Sequence, residues 1–175
     1  VRQFAAALTK ADEPGCFKRK IPILSSCVGM IQYRGDLGLD VLFEPLIPDR
    51  TIGELIAQTG LAQLRIAETE KYAHVTYFFS GGIEAPFAGE ERLLIDSPRE
   101  VATYAQKPQM SAPEVSDKLV AALSSKKHHL IVCNFANPDM VGHTGDLAAA
   151  IAAMCALDEC LGAVLDAAER NGYGV

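Results

Sequence analysis

Apolar and polar residues follow two different rhythms along this chain, and the rhythm changes repeatedly after Thr51. The runs "HVTYFFSGG", "RLLIDSP" and "HLIVCNF" are short, rich in β-branched, aromatic or aliphatic residues, and bounded by turn residues. Each of them therefore predicts a strand. Between and after them, apolar residues recur every three or four positions, which is the spacing of a helix with one buried face. Strands that alternate with helices predict an α/β layer with a mainly parallel sheet.

Local signals place the starts of two helices. Thr51 and Glu54, and likewise Ser111 and Glu114, have the spacing of a capping box, in which each side chain accepts a hydrogen bond from the other residue's backbone N–H. Gly60 is predicted to follow the end of the first helix.

The last helix is predicted from about Thr144 to Arg170, with a buried stripe of large apolar residues. Its start predicts free N–H groups and a positive dipole end close to the residues that precede it. The stripe consists of Leu147, Ile151, Met154, Leu157, Leu161, Leu165 and Ala168.

The chain before Thr51 is less regular. Phe4 and Leu8 have helical spacing, and "IPILSSCVGMIQY" is a β-prone run. The stretch "FEPLIPDRT" carries Pro45 and Pro48, so we expect an extended linker between two domains there.

Composition limits the classes of function. The chain has 175 residues, a net charge of −6 and five cysteines without a metal or disulfide spacing. These features argue against a nucleic-acid partner and favour a reducing cytoplasm. No uninterrupted apolar run approaches the roughly 18–20 residues that span a bilayer, so no membrane partner is expected. The sequence begins at Val1 without an initiator Met, and it ends at Val175, which resembles the first residue of a strand. We therefore expect this chain to be a piece of a longer protein.

The segment "NFANPDMVGHTGD" carries the first candidate chemistry. Asp139 and His143 lie four residues apart just after a predicted strand, where ligands of open α/β sheets gather. An oxygen and an imidazole nitrogen suit Mn²⁺, Zn²⁺ or Fe²⁺ better than Ca²⁺. The alternative is that Asp139 is a cap and His143 a surface imidazole.

The segment "RIAETEKYAHVT" contains a second group of candidate functional residues. Lys71 could point at an anionic substrate, and His74 could be a further ligand. The alternatives are a solvated helix end with local ion pairs around Arg65 and Glu68, and a histidine satisfied at a strand start.

These segments resemble the cofactor-independent (2,3-bisphosphoglycerate-independent) phosphoglycerate mutases. The resemblance rests on "RIAETEKYAHVTYFFSGG", "PREVATYAQKPQMSAPEVSDKL" and "NFANPDMVGHTGDLAAAIAAMCALDECLG", which occur in the family's order. It implies an alkaline-phosphatase-like α/β domain with a mainly parallel sheet flanked by helices, into which an α/β phosphotransferase domain is inserted. Residues 1–44 would then be the end of the inserted domain, 45–50 a linker, and 51–175 part of the metal-binding domain, truncated at both ends.

The resemblance also implies a function for the full-length protein. That function is the glycolytic interconversion of 3-phosphoglycerate and 2-phosphoglycerate through a phosphoserine, by a cytoplasmic monomer that uses two Mn²⁺ ions and has no nucleic-acid or membrane partner. Asp139 and His143 match ligands of one ion, and Lys71 matches a lysine that contacts the substrate. The nucleophilic serine and the other ligands match nothing in this chain, so we expect these 175 residues alone to be inactive. Two alternatives remain: another phosphomutase or phosphomonoester hydrolase of the alkaline-phosphatase superfamily, and a structural piece with empty ligand positions.

Overall fold

The chain divides into two compact units, Val1–Ile47 and Pro48–Val175. The structure, a computed structural model, describes residues 1–10, 20–22, 24–44, 46 and 48–175. Pro45 and Ile47, in the middle of the predicted linker 45–50, lie outside the described residues. The assignment of residues 1–44 to an inserted phosphotransferase domain stays a prediction.

The described residues of the first unit include an α-helix, a 3₁₀ turn (Gly35–Leu37) and a short parallel strand pair. Helix α1 spans Arg2–Thr9, and β1 (Val28–Gly29) pairs with β2 (Asp40–Val41). Among the residues described there, Ala5, Ala6 and Leu37 form a small core.

The second unit is built on a three-stranded parallel sheet. Strands β3 (Gln63–Glu68), β4 (Glu90–Ile95) and β5 (Leu130–Asn134) have the order β4-β3-β5. The register pairs Gln63 with both Glu90 and Leu130, so the three carboxyl ends lie at one edge. The predicted α/β class with a parallel sheet is confirmed.

Five helices accompany this sheet. They are α2 (Ile52–Gln58), α3 (Tyr72–Val75), α4 (Ala112–Ser125), α5 (Asn137–Gly142) and α6 (Leu147–Asn171). Apolar residues of β3 and β4 pack against α4 and α6 to form the main core, which consists of Ile66, Ile95, Val115, Leu119, Leu123, Val164, Ala167 and Ala168.

The predicted strand at "HVTYFFSGG" is wrong. This segment contains the end of α3 followed by turns, in which Phe78 N donates to Ala73 O (2.9 Å) and Ser80 N to Thr76 O (2.8 Å). Phe78 and Phe79 are neighbours in the chain and both exposed, at 61% and 37%, so burial does not alternate here as it does in a half-buried strand. The β-preference of Val, Tyr and Phe is therefore outweighed by the tertiary context. The strand lies earlier, at β3.

The two predicted capping boxes differ in outcome. Thr51 caps α2 by accepting from Glu54 N at 3.4 Å, while the Glu54 carboxylate accepts from Arg50 N (3.0 Å) instead of Thr51 N. Gly60 follows the end of α2 in a left-handed conformation (φ 73°), as predicted. Ser111 precedes α4 without a side-chain cap, because its hydroxyl donates to Asp96 O at 2.8 Å.

The predicted buried stripe of α6 is also largely wrong. Leu147 and Ile151 are 75% and 57% exposed, and the face that packs inward carries small residues: Ala149, Ala153, Cys160, Val164, Ala167 and Ala168. Among the described residues α6 alone is long and apolar enough to cross a membrane by length and composition, although no unbroken apolar run of that length was found in the sequence. Core helices of soluble proteins pass the same test, and Asp158 and Glu159 lie in the middle of α6.

Candidate metal and phosphate site

The carboxyl edge of the sheet collects the polar residues that follow its strands. After β3 the chain makes one 3₁₀ turn, Thr69–Lys71, and enters α3. After β5 it forms α5, which carries Asp139 in its first turn, and His143 is the residue at the helix end. Because β3 and β5 are neighbours, Lys71 and Asp139 come together across this edge.

Lys71, Asp139 and His143 form one contact group. The Lys71 ammonium pairs directly with Asp139 Oδ2, and His143 Nε2 lies 3.4 Å from Asp139 Oδ1. The Lys71 side chain is 16% exposed, whereas those of Asp139 and His143 are 50% and 76% exposed. The structure therefore brings the three candidate residues together, with Lys71 enclosed and the Asp139–His143 pair open.

Positive charge around Asp139 keeps its carboxyl ionised. The hydrogen bond from Lys71 is the largest cause that lowers the pKa of Asp139 below its ordinary value, and the charges of Lys71, His143 and His74 add to it. His74 is exposed on α3, with its ring edge-on to Phe78, so it does not begin a strand as one interpretation required. An ionised carboxylate is the form that binds a metal ion.

The donor set fits two ligands of one divalent ion. Ligand bonds of about 2.0–2.2 Å at angles between about 90° and the tetrahedral angle place two donor atoms about 2.8–3.6 Å apart. The distance of 3.4 Å between Asp139 Oδ1 and His143 Nε2 lies within that interval. Within the described part of the chain, no group of three His, Cys, Asp or Glu side chains is gathered for a metal. Asp139 and His143 can thus supply part of a coordination shell.

Contacts with α6 hold helix α5 in place. Asn137 is fully buried and donates from Nδ2 to Ala153 O at 2.9 Å. Val141 packs with Ala149 and Ala153 in a second core cluster. The long helix was expected to begin near Thr144, but α6 begins at Leu147, capped by Asp146, which accepts from Ala149 N at 3.0 Å. A separate short helix therefore carries Asp139.

The interpretation of "RIAETEKYAHVT" as a solvated helix end is wrong. Arg65 and Glu68 belong to the central strand and are fully buried. Arg65 donates from Nη2 to Gln63 Oε1 (2.6 Å) and its guanidinium lies 4.5 Å from the centre of the Phe79 ring.

Glu68, at the very end of β3, was missed as a residue of interest. Its carboxylate accepts from Ser97 Oγ (3.1 Å) and from Ser111 N (3.1 Å). Burial is the main cause that raises the pKa of Glu68 above its ordinary value, and these two hydrogen bonds oppose it. A signal was available in the sequence, since residues at the ends of neighbouring parallel strands meet at one edge.

Comparison with known proteins places these features in a family. A model described as the metalloenzyme superfamily matches residues 29–174. The 2,3-bisphosphoglycerate-independent phosphoglycerate mutase of Lawsonia intracellularis is 52% identical over 98% of the chain, and that of Syntrophotalea carbinolica is 50% identical over 98%. The chain spans 34% and 33% of those two proteins, about a third of the curated relatives it matches.

A solved structure agrees with these relatives. The phosphoglycerate mutase of Leishmania mexicana, crystallised at low cobalt concentration, superposes with a TM-score of 0.76 at 31% identity, over 97% of this chain and 31% of that one. The chain therefore belongs to the metalloenzyme superfamily, and over almost its whole length it is similar to part of the 2,3-bisphosphoglycerate-independent phosphoglycerate mutases.

Proposed function

We propose that the longer protein to which these residues belong interconverts 3-phosphoglycerate and 2-phosphoglycerate through a phosphoserine. It would act in glycolysis as a cytoplasmic, monomeric isomerase with a small-molecule substrate. The observation that carries the proposal is the convergence of Lys71, Asp139 and His143 at the carboxyl edge of the sheet. About 50% identity to named mutases supports it.

Asp139 and His143 would hold one of two Mn²⁺ ions. The mixed oxygen and nitrogen donors suit Mn²⁺, although Zn²⁺ and Fe²⁺ accept the same set. When bound, such ions would stabilise negative charge on the phosphoryl oxygens and polarise an attacking hydroxyl. The residues of this chain contribute an ionised carboxylate and an exposed imidazole, held on one short helix.

Lys71 would bind the phosphoryl group. Its ammonium pairs with Asp139, and its side chain is only 16% exposed, so the lysine reaches the site from an enclosed position. A cation fixed there would offset the negative charge of the phosphoryl group without having to reorganise during transfer.

The proposal is tested with the full-length protein and two substrates. We expect turnover of 3-phosphoglycerate to exceed hydrolysis of a generic phosphomonoester such as p-nitrophenyl phosphate. Hydrolysis without mutase activity would favour the superfamily's hydrolases instead.

A matched pair of histidine variants tests the site itself. His143→Ala should lower mutase activity at least about 100-fold while the protein stays folded, because a metal ligand is lost. His129→Ala is the control: this exposed histidine precedes β5, at the opposite edge of the sheet, where its ring accepts from Ala62 N. Wild-type activity in His143→Ala would overturn the assignment.

A further inference from the structure

The connection between β4 and α4 links the two halves of the candidate site. It runs from Asp96 to Ser111 and contains a single 3₁₀ turn, Tyr104–Gln106. Its middle packs on α5, because Tyr104, Ala105 and Met110 belong to the same apolar cluster as Val141. This connection, called the clamp below, therefore touches the helix that carries Asp139.

The clamp also holds the turn that carries Lys71. Thr69 Oγ1 accepts from Ser97 N (3.2 Å) and donates to Ile95 O (3.3 Å). The Tyr104 hydroxyl donates to Glu70 Oε1 at 2.7 Å. Thr69 and Glu70, the two residues before Lys71 in this turn, are thus hydrogen-bonded to the clamp or to the end of β4.

Both ends of the clamp meet at Glu68. One oxygen of this carboxylate accepts from Ser97 near the start, and the other accepts from the Ser111 N–H at the finish. Glu68 is fully buried. Removal of its carboxylate would therefore leave these two donors without an acceptor in a place that water reaches poorly, which costs free energy. Met110, beside Ser111, is buried in a left-handed conformation (φ 47°). This conformation costs a non-glycine residue energy and persists only where the surrounding structure holds it.

We propose that Glu68 is a positioning residue whose carboxylate fixes both ends of the clamp and thereby holds Lys71 in place beside Asp139. The reaction part of this inference rests on the proposed mutase function. Glu68 touches neither Lys71 nor Asp139 in the hydrogen bonds described above, and it acts through Ser97, Ser111 and the Thr69–Lys71 turn.

Substitutions at Glu68 should separate its hydrogen bonds from its bulk. In the full-length protein, Glu68→Ala should lower kcat about 100-fold, because a displacement of about 1 Å in a binding group has an effect of this size. Glu68→Gln should keep at least tenfold more activity than Glu68→Ala. Its carbonyl can accept from Ser111 N, and the Ser97 hydroxyl can rotate to accept from its amide. Glu100→Ala is the matched control, since Glu100 is an exposed carboxylate of the clamp that pairs only with Lys107 among the contacts described.

A double-mutant cycle tests whether the effect passes through Lys71. Ser97→Ala should lower kcat about tenfold in the wild-type background and less than about twofold in Lys71→Ala, because a displaced lysine matters only while it is present. General destabilisation would instead give the same factor in both backgrounds, and that result would overturn the proposal. Wild-type kcat in both Ser97→Ala and Glu68→Ala would overturn it as well.

Amide hydrogen exchange provides a test that does not depend on catalysis. The Ser111 N–H should exchange at least tenfold faster in Glu68→Ala than in wild type or Glu100→Ala, because it loses its acceptor. Unchanged exchange would overturn the role of Glu68 even if the protein is a mutase. Faster exchange in a protein without mutase activity would overturn the proposed function and leave the clamp intact.

Discussion

At the scale of single residues, the carboxyl edge of the sheet contains two carboxylates, Asp139 and Glu68, in different surroundings. Asp139 is open and lies beside Lys71 and His143, which keep its pKa low. Glu68 is buried beneath the same edge, where loss of water raises its pKa. The open carboxylate suits a ligand role and the buried one suits a role in holding backbone. Sequence spacing identified Asp139 because it pairs with His143 along one segment, whereas the partners of Glu68 are distant in sequence.

The hydrogen bond from the Tyr104 hydroxyl to Glu70 predicts how the pKa of Tyr104 responds to a substitution of Glu70. The hydrogen bond to Glu70 is the main cause that raises the pKa of Tyr104 from 10.0 to about 12. Glu70→Gln should bring this pKa back towards 10, because the neutral amide no longer opposes a phenolate. Ultraviolet absorbance of the phenolate, taken as the difference from Tyr104→Phe, measures it.

The same shift sets the direction of a stability change. The folded pKa lies above the unfolded one, so the contribution of this contact is complete below pH 10 and is lost as the pH rises through about 12. A Tyr104 titration that is the same in wild type and Glu70→Gln would contradict the role given to this bond.

At the scale of elements, the sequence located β4, β5, α4 and most of α6, but it misplaced the central strand. Strand β3 contains the buried residues Arg65 and Glu68. The Arg65 guanidinium lies over the Phe79 ring, and the Glu68 carboxylate accepts from Ser97 and Ser111, so their partners are distant along the chain. Charged residues in a strand pattern read as solvated because those partners are not visible in a local window. The inward face of α6 was misjudged for a related reason: small residues face inward there so that α5 can approach closely.

The close contact between α5 and α6 predicts a sharp difference between neighbouring alanines. Ala153 is fully buried and its carbonyl accepts from Asn137, whereas Ala152 is exposed on the same helix. Ala153→Leu should lower the free energy of unfolding by about 1–3 kcal/mol through overpacking. Ala152→Leu should change it by less than about 0.5 kcal/mol. Chemical denaturation of both variants measures the difference, and equal midpoints would show that α5 does not depend on this contact.

At the scale of the whole molecule, the outer face of α6 is an exposed apolar surface without a partner among the described residues. Leu147, Ile151, Met154 and Leu165 are each about half exposed or more, in an order that gives one apolar stripe. The chain spans only about a third of its curated relatives. We therefore expect polypeptide outside these 175 residues to cover this stripe in the longer protein.

Thiol labelling tests that expectation. Cys155 is exposed beside Ile151 and Met154, whereas Cys160 is buried. N-ethylmaleimide should modify Cys155 at least tenfold faster in the 175-residue chain than in the full-length protein, because covering polypeptide excludes the reagent. Cys160 should react slowly in both and so reports whether the shorter chain is folded. Equal rates at Cys155 would mean that the stripe stays open in the longer protein.

We propose that Asp139 and His143 are two ligands of one metal ion, and a count of the Mn²⁺ ions bound to the protein tests this assignment. Electron paramagnetic resonance of free Mn²⁺ during titration gives the number of ions bound per full-length chain. We expect Asp139→Ala and His143→Ala each to bind one ion fewer than wild type, with His129→Ala unchanged. Wild-type stoichiometry and affinity in both ligand variants would contradict it.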